Sequence, residues 1–190
     1  MEGSRRVKMT KRLIRESFLE LLEKEPIGKI TVTQICDLAD VNRSTFYAYY
    51  DSTYDLLREI EDGVLEKIPA PTKEFTFENR KEFAGELTAF FEYIKKHSAT
   101  FAVLISNTDE SDFNYRLLEA LFDKMIIKDI IDKSFYSRLG YVFSVNGAVG
   151  MIKEWIENDF PISAKEFAQM ALDMCINAND VAYIKSQGKG

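Results

Sequence analysis

The sequence predicts an all-α fold. Long segments carry apolar residues three and four positions apart, and no stretch shows the two-residue alternation of a β-strand. Only four prolines and nine glycines interrupt the 190 residues, and 46% of the residues are hydrophobic, which is ample for a core. We therefore expect a helical protein of one or two domains.

Basic residues are concentrated at the N-terminus. The formal net charge is −6, yet residues 1–15 contain six basic side chains against one acidic side chain. Residues 51–190, by contrast, contain 16 basic and 24 acidic residues. This asymmetry is typical of a chain whose first segment faces a polyanion, although a solvated basic tail gives the same pattern.

Membrane insertion and export are not expected. The longest uncharged run, residues 139–152, is shorter than the roughly 20 apolar residues that cross a bilayer. The N-terminal segment lacks the apolar stretch of a secretion signal. Cys36 and Cys175 lie within helical patterns and are typical of buried thiols in a reducing compartment. We therefore expect a cytoplasmic protein with no membrane partner.

Catalytic and metal-binding motifs are missing from the sequence. The acidic segment 107–112 lacks the glycine and the final glutamate of a calcium-binding EF-hand loop. His97, the one histidine, follows two lysines at a predicted helix end, as a solvated residue does. No HExxH, phosphate loop or CxxC occurs. We expect no enzyme activity, no metal and no cofactor.

The first predicted helix covers residues 7–24 and is broken by the proline and glycine of segment 25–29. Thr31 followed by Gln34 three positions later is a capping box, so a short second helix should begin near Val32. The apolar residues that this helix should bury are Ile35, Leu38 and Ala39.

A tight turn follows the second helix. We expect Asp40 to adopt the left-handed conformation and Asn42 to cap a third helix over residues 43–50. Ser52 with Asp55 forms another cap, which starts a fourth helix that runs to about residue 68. Two short, separately capped helices joined by such a turn form a helix-turn-helix, whose second helix enters the major groove of DNA.

The third helix carries a dense group of aromatic rings and hydroxyls. Phe46 and Tyr50 share one face, which we expect to pack on the second and fourth helices. The side chains on the other faces can contact phosphates and base edges. They are Ser44, Thr45, Tyr47 and Tyr49. The alternative is that all the tyrosines are packing groups of an ordinary helical domain.

Five more helices are predicted after Pro69-Ala70-Pro71, the plausible joint between a compact N-terminal part and the remainder. The helices should cover residues 78–96, 98–106, 112–131, 135–158 and 163–179.

Residues 31–52, together with Leu56 and Leu57, closely resemble the DNA-binding domain of TetR-family (AcrR-type) transcriptional regulators. The resemblance implies an all-helical homodimer, usually a repressor, with a small-molecule pocket in its C-terminal domain. Two positions depart from the family pattern. Asp40 replaces the usual turn glycine, and Thr53 stands where a phosphate-binding lysine is common.

The resemblance also implies a set of DNA-binding residues. Arg43 and Ser44 should read bases, with Thr45, Tyr47 and Tyr49 as phosphate or base contacts. The remaining positions are Thr31 and Thr33 from the second helix, and Thr53. The charge asymmetry of the N-terminus adds the basic arm residues Arg5, Arg6 and Lys8. The partner should be a double-stranded, near-palindromic operator.

The C-terminal half offers an apolar lining with a few polar groups, as a ligand pocket requires, although such side chains more often form plain core. The candidates are Phe90, Phe91, Ile94, Phe101, Leu104, Tyr115, Leu118, Phe122, Phe143, Asn146 and Met151. The effector would be an unidentified small molecule.

Residues 147–163 resemble the penultimate-helix segment of a family subset that includes regulators related to the activator of dihydroxyacetone kinase genes. Glycines on one helix permit close approach of another backbone, so a dimer seam is expected here. Its candidate residues are Gly147, Gly150, Ile152, Trp155, Phe167, Met170, Ala171 and Met174, with burial of Trp155 within one subunit as an alternative.

The resulting hypothesis is a sequence-specific DNA-binding regulator, a repressor released by a small molecule. Residues 1–52 would form the DNA-binding domain and residues 53–190 the regulatory and dimerisation domain, connected by the fourth helix. Two alternatives remain. One is a co-activator or interaction protein whose C-terminal domain binds a protein partner, and the other is a ligand carrier or enzyme with a vestigial helix-turn-helix.

Overall fold

The computed structural model describes residues 2–106, 112–125 and 135–186. Within these ranges the chain forms α-helices and one 3-10 turn, with no β-strand, which confirms the all-α prediction. The helices are α1 (Glu2–Leu22), α2 (Val32–Ala39), α3 (Arg43–Tyr47), α4 (Thr53–Leu65), α5 (Arg80–Lys96), α6 (Ser98–Ser106), α7 (Phe113–Met125), α8 (Phe135–Glu157) and α9 (Ala164–Ser186).

Two compact units divide the chain between Lys67 and Ile68. The N-terminal unit contains α1 to α4, and the C-terminal unit contains α5, α6 up to Ile105, α7, α8 and α9. The division falls just before Pro69. The functional boundary predicted after residue 52 stays a prediction.

Helix α1 begins earlier than the sequence pattern indicated, at Glu2 rather than at residue 7, and it ends at Leu22. The early start has a physical reason, because Arg, Lys and Met have high helix propensity. Arg5 and Arg6 are therefore helical residues and not part of an irregular arm.

Helix α2 begins with the predicted capping box. The Thr31 side chain accepts a hydrogen bond from the Gln34 backbone N–H, and Gln34 Oε1 accepts one from the Thr31 N–H. Leu38 was expected to be buried, but 44% of its surface is exposed. The helix turns by about 100° per residue, so Ile35, Cys36 and Ala39 fall within one buried arc while Leu38 lies on the other side of Ile35.

The turn after α2 matches the prediction, because Asp40 has φ 52 and ψ 50 and is left-handed. Asn42 occupies the N-cap position of α3, although its side chain makes no capping hydrogen bond. Helix α3 ends at Tyr47 instead of residue 50. Beyond that point the chain tightens, and the Tyr49 N–H donates to the Phe46 carbonyl three residues back.

The core of the N-terminal unit is formed by apolar side chains from all four helices. Phe46 is fully buried and Tyr50 is almost fully buried, and their ring centroids lie 5.5 Å apart, as their shared face predicted. Helix α4 starts at the predicted cap, where Ser52 Oγ accepts a hydrogen bond from the Asp55 N–H. Besides Phe46, the fully buried side chains in the core of this unit are Ile14, Phe18, Ile35, Leu56 and Ile60.

In the C-terminal unit α9 packs along both α5 and α8. An aromatic cluster fills this region, with the Trp155 ring stacked on Phe167 at 4.4 Å and Phe91 at 4.8 Å from Phe167. Helix α9 continues to Ser186, past its predicted end at residue 179, because no proline or glycine interrupts it. The predicted end of the seventh helix, residue 131, lies outside the described residues.

The connection between α8 and α9 contains two consecutive left-handed residues, Asp159 (φ 55) and Phe160 (φ 58). A non-glycine residue in this conformation costs about 1 to 3 kcal/mol. Two hydrogen bonds stabilise the left-handed backbone of this connection. The Phe160 N–H donates to the Trp155 carbonyl at 2.9 Å, and Trp155 Nε1 donates to the Ile162 carbonyl at 3.0 Å.

Candidate nucleic-acid interface

The residues after the α2–α3 turn present an exposed polar surface. Arg43 and Ser44 are exposed, and Tyr47 has 52% of its surface exposed. Thr45 and Tyr49 are half-buried. The rings of α3 thus divide as expected, since Phe46 points into the core and Tyr47 points outward, with the two rings in an edge-on contact at 5.6 Å.

The three predicted threonines occupy different environments. Thr33 is exposed on α2. Thr31 is also exposed, but its hydroxyl donates to Gln34 Oε1 at 2.7 Å, so its proton is committed to the capping box. Thr53 is only 9% exposed at the first position of α4, which leaves its side chain little surface for a phosphate.

The predicted basic arm is the first part of α1. Arg5, Arg6 and Lys8 are all exposed. Arg5 and Lys8 are three positions apart on the helix and therefore lie on neighbouring parts of one face. None of the three cations forms an ion pair with an acidic side chain of the described residues, unlike Lys11 and Arg12 further along the helix.

The Glu59 carboxylate joins three parts of the N-terminal unit. Oε2 forms an ion pair with Lys11 Nζ of α1, and Oε1 accepts a hydrogen bond of 2.8 Å from the Tyr50 hydroxyl. Arg15 Nη1 lies 4.0 Å from Oε1. The Lys11 ammonium also lies 5.0 Å from the Tyr50 ring centroid, within cation–π range. The sequence pattern did not indicate this cluster, because its members are up to 48 positions apart.

These contacts shift two pKa values. Partial burial by itself would raise the pKa of Glu59, but the hydrogen bonds from Lys11 and Tyr50 and the charges of Lys11 and Arg15 outweigh it, so the pKa is lowered. Burial and then the hydrogen bond to Glu59 raise the pKa of Tyr50. Glu59 is therefore a carboxylate and Tyr50 a neutral phenol near neutral pH.

The lowered pKa gives a pH-dependent contribution to stability. A folded-state pKa below the unfolded value, about 4.3 for Glu, stabilises the fold above that value, and the contribution is lost as the pH falls through the folded pKa. We expect Glu59→Gln to lower the urea midpoint at neutral pH and to differ much less from wild type at about pH 3. A gap of the same size at both pH values would contradict this expectation. The control is Glu66→Gln, at the exposed residue that follows α4.

The cysteines are buried, as predicted. Both thiols are free, and burial raises the pKa of Cys175 to about 11, outweighing its hydrogen bond with Ser144. Burial, followed by the charge of Asp37, raises the pKa of Cys36 as well. A raised pKa suppresses the thiolate that redox chemistry requires.

The residues predicted to line a pocket separate into two groups. Six are buried in the C-terminal unit: Phe90, Phe91, Ile94, Phe101, Leu104 and Leu118. Tyr115, Phe143 and Asn146 are not buried, with Phe143 exposed at 67%, so they do not line the interior of a single chain. Met151 is half-buried, and the side chain of Phe122 lies outside the described residues. The pocket stays a prediction.

The residues predicted for the dimer seam also divide. Ile152, Trp155, Phe167 and Ala171 are buried within one chain. These four are core residues, since Trp155 of α8 stacks on Phe167 of α9 and both rings contact Phe91 of α5, and burial of Trp155 within one subunit is what the structure shows. The others remain accessible: Gly150, Met170 and Met174 are exposed and Gly147 is half-buried.

A second set of exposed apolar residues lies on α8 and was not assigned to the seam. The set comprises Phe135, Leu139, Val142 and Phe143. With Asn146 and Gly150 it forms a stripe on the side of α8 opposite the buried Ser144 and Ile152. The 3.6-residue period of this stripe was readable from the sequence, but the mixed apolar character of α8 did not show which side faces the core. We group the stripe with the exposed Met170 and Met174 of α9 as candidate interface residues and call this set the α8–α9 face.

The described residues contain no helix with a stretch long and apolar enough to cross a membrane. In the same ranges no three His, Cys, Asp or Glu side chains are grouped so that they could hold a metal ion.

Comparison with known proteins gives a family match and similar solved structures. A crystal structure of a TetR transcriptional regulator from Streptococcus agalactiae 2603V matches 92% of this chain and 98% of its own, with a TM-score of 0.67 and 22% identity. The dihydroxyacetone kinase operon activator DhaS matches 90% of this chain and 97% of its own, with a TM-score of 0.52 and 19% identity. At these identities the two structures show the shared fold. No curated protein matches the chain.

The family match is to the TetR-type model described as transcriptional regulator C-terminal region, over residues 81–177. This range is just over half of the 190-residue chain. The resemblance predicted from residues 31–52 is confirmed from a different part of the sequence, and the chain belongs to the TetR family of transcriptional regulators.

Proposed function

We propose that the protein is a sequence-specific DNA-binding repressor that acts in the cytoplasm as a homodimer on a near-palindromic operator and is released by a small-molecule effector. The observation that carries the proposal is the exposed polar surface of the N-terminal unit. It combines two short helices joined by a left-handed Asp40 turn with outward-pointing Arg43, Ser44 and Tyr47.

The chemistry of this surface suits duplex DNA. Arginine donates two hydrogen bonds to guanine, and serine hydroxyls bond to either base edges or phosphates. Tyr47 presents a half-exposed phenol that can reach a phosphate. The exposed cations Arg5, Arg6 and Lys8 at the start of α1 supply sequence-independent attraction.

The α8–α9 face supports dimerisation. From Leu139 to Gly150 the stripe runs along about 17 Å of helix at 1.5 Å per residue, and exposed apolar surface of this kind marks an interface. A Cβ added at Gly147 or Gly150 would meet no atom within 4 Å, so space for a partner helix is open there. A homodimer would use the same stripe twice around a two-fold axis.

Repression and effector release rest on family membership and on the aromatic interior of the C-terminal unit. The effector pocket is proposed among the buried candidates Phe90, Ile94, Phe101, Leu104 and Leu118.

A second candidate is a co-activator or interaction protein. The α8–α9 face favours it, because an exposed apolar face accepts a different chain as readily as a second copy. The similarity in fold to an operon activator agrees with this candidate.

Selection of duplexes from a random library by the purified protein tests the proposal. We expect the sequenced fragments to share a site with two-fold symmetry, and sedimentation to show two chains per duplex. Arg43→Ala should relax the preference at one position in each half-site. Capture of fragments with no shared sequence, or binding by single chains, would remove the proposed function and favour the protein-partner candidate.

A further inference from the structure

We infer that Glu59 is a positioning residue that holds Lys11 and Arg15 as internal counterions and so withholds both cations from the phosphates of bound DNA. The inference rests on the proposed DNA binding and adds to it which basic residues of α1 contribute to affinity. Residue type alone would count every lysine and arginine of α1 as a phosphate ligand.

The first argument for the inference is the geometry of the Glu59 carboxylate. Oε2 binds Lys11, and Oε1 accepts the Tyr50 hydroxyl at 2.8 Å and lies 4.0 Å from Arg15. Both oxygens therefore have partners within the fold. Because Tyr50 is almost fully buried, its hydroxyl fixes the carboxylate in one place beside α1.

The second argument is the position of Lys11 beside the proposed DNA contacts. Its ammonium lies 6.0 Å from the ring centroid of Tyr49, and it is one helical turn from Lys8. Tyr49 and Lys8 are both proposed DNA contacts, so Lys11 lies next to the proposed phosphate-facing surface. The Lys11 side chain is 30% exposed. A phosphate that recruited Lys11 would have to displace Glu59 and leave an unpaired carboxylate close to the DNA backbone.

The consequence concerns discrimination between operator and random DNA. Each cation that neutralises a phosphate strengthens binding to every duplex alike. Because Glu59 neutralises Lys11 and Arg15 within the fold, it lowers the sequence-independent part of the affinity for DNA. Base contacts from Arg43 and Ser44 then account for a larger share of operator binding.

A double-mutant cycle at Glu59 and Lys11 tests the inference on a random-sequence duplex and on the selected operator. The measured quantity is the slope of log K against log salt, whose magnitude is about 0.9 for each phosphate that the protein neutralises. The variants are Glu59→Gln, Lys11→Met and their combination. Glu66→Gln is the control, because it removes the same charge from the end of α4 at an exposed residue.

We expect Glu59→Gln to steepen the slope by about 0.9 for each freed cation on both duplexes, with Glu66→Gln unchanged. Lys11→Met should leave the slope of the wild-type background unchanged and remove about 0.9 in the Glu59→Gln background. A loss of about 0.9 on Lys11→Met alone would show that Lys11 already binds phosphate and would overturn the inference. Equal slopes for Glu59→Gln and Glu66→Gln would also overturn it.

Thermal unfolding of each variant verifies that it is folded. Should Glu59→Gln fail to fold, Lys11→Met in the wild-type background decides alone, since an unchanged slope supports the inference and a reduced slope overturns it. A wild-type protein that binds no duplex at any salt concentration would instead remove the proposed function, and the inference with it.

Discussion

Replacing Phe46 with alanine should destabilise the N-terminal unit by about 3 to 5 kcal/mol. The ring is fully buried among side chains of the same unit and contacts the Tyr50 ring at 5.5 Å, so its removal leaves a cavity that the short α3 helix cannot fill. Urea unfolding followed by circular dichroism gives the change in free energy. An effect below about 1 kcal/mol would show that the site collapses around the missing ring or that Phe46 is not a core residue.

Tyr47→Ala is the matched comparison, because it removes the adjacent ring from the outer face. We expect a stability loss of about 0.5 to 1.5 kcal/mol, due to the edge-on contact with Phe46, and a larger relative loss of operator affinity. The reverse outcome, in which Tyr47→Ala unfolds the unit and Phe46→Ala does not, would show that contact and core roles are exchanged.

Phe143→Glu should dissociate the proposed homodimer, raising its dissociation constant at least about 100-fold. The α8–α9 face would bury this carboxylate twice, once from each subunit. The residues of the stripe include no basic side chain, and Arg138 beside them lies over the Phe135 ring. Because Phe143 is 67% exposed in a single chain, the fold of the subunit should be retained. Sedimentation equilibrium gives the association constant, and circular dichroism verifies the fold.

The control for this substitution is Phe77→Glu. Phe77 is 57% exposed and lies before α5, away from the stripe in sequence, so the same chemical change should leave the association constant unaltered. A Phe143→Glu protein that associates as tightly as the Phe77→Glu protein would show that the dimer seam lies elsewhere.

Local signals in the sequence predicted the N-terminal unit in some detail. The Thr31–Gln34 capping box, the left-handed Asp40 and the Ser52 cap each depend on residues within a few positions of one another. Interactions of that range can be read directly from sequence, because one helix turn contains both partners. The outward position of Tyr47 and the inward position of Phe46 followed from helical period alone.

Tertiary packing decided the features that the sequence did not predict. Phe143 and Trp155 are both aromatic residues of α8, yet one is exposed and the other is buried against Phe167. Their hydrophobicity is similar, so only the positions of α5 and α9 determine which is covered. Glu59 likewise carries no local sign that it meets Lys11, since the contact joins α1 to α4.

The contacts of Trp155 have a spectroscopic consequence. It is the one tryptophan of the chain, stacked on Phe167 and hydrogen-bonded to the Ile162 carbonyl across the α8–α9 connection. Its fluorescence therefore reports the C-terminal unit, whereas Tyr47, Tyr49 and Tyr50 belong to the N-terminal unit. In the Phe46→Ala protein, a loss of helical ellipticity that precedes the change in tryptophan emission would show two separate unfolding transitions, and coincident curves would show that the units unfold as one cooperative system.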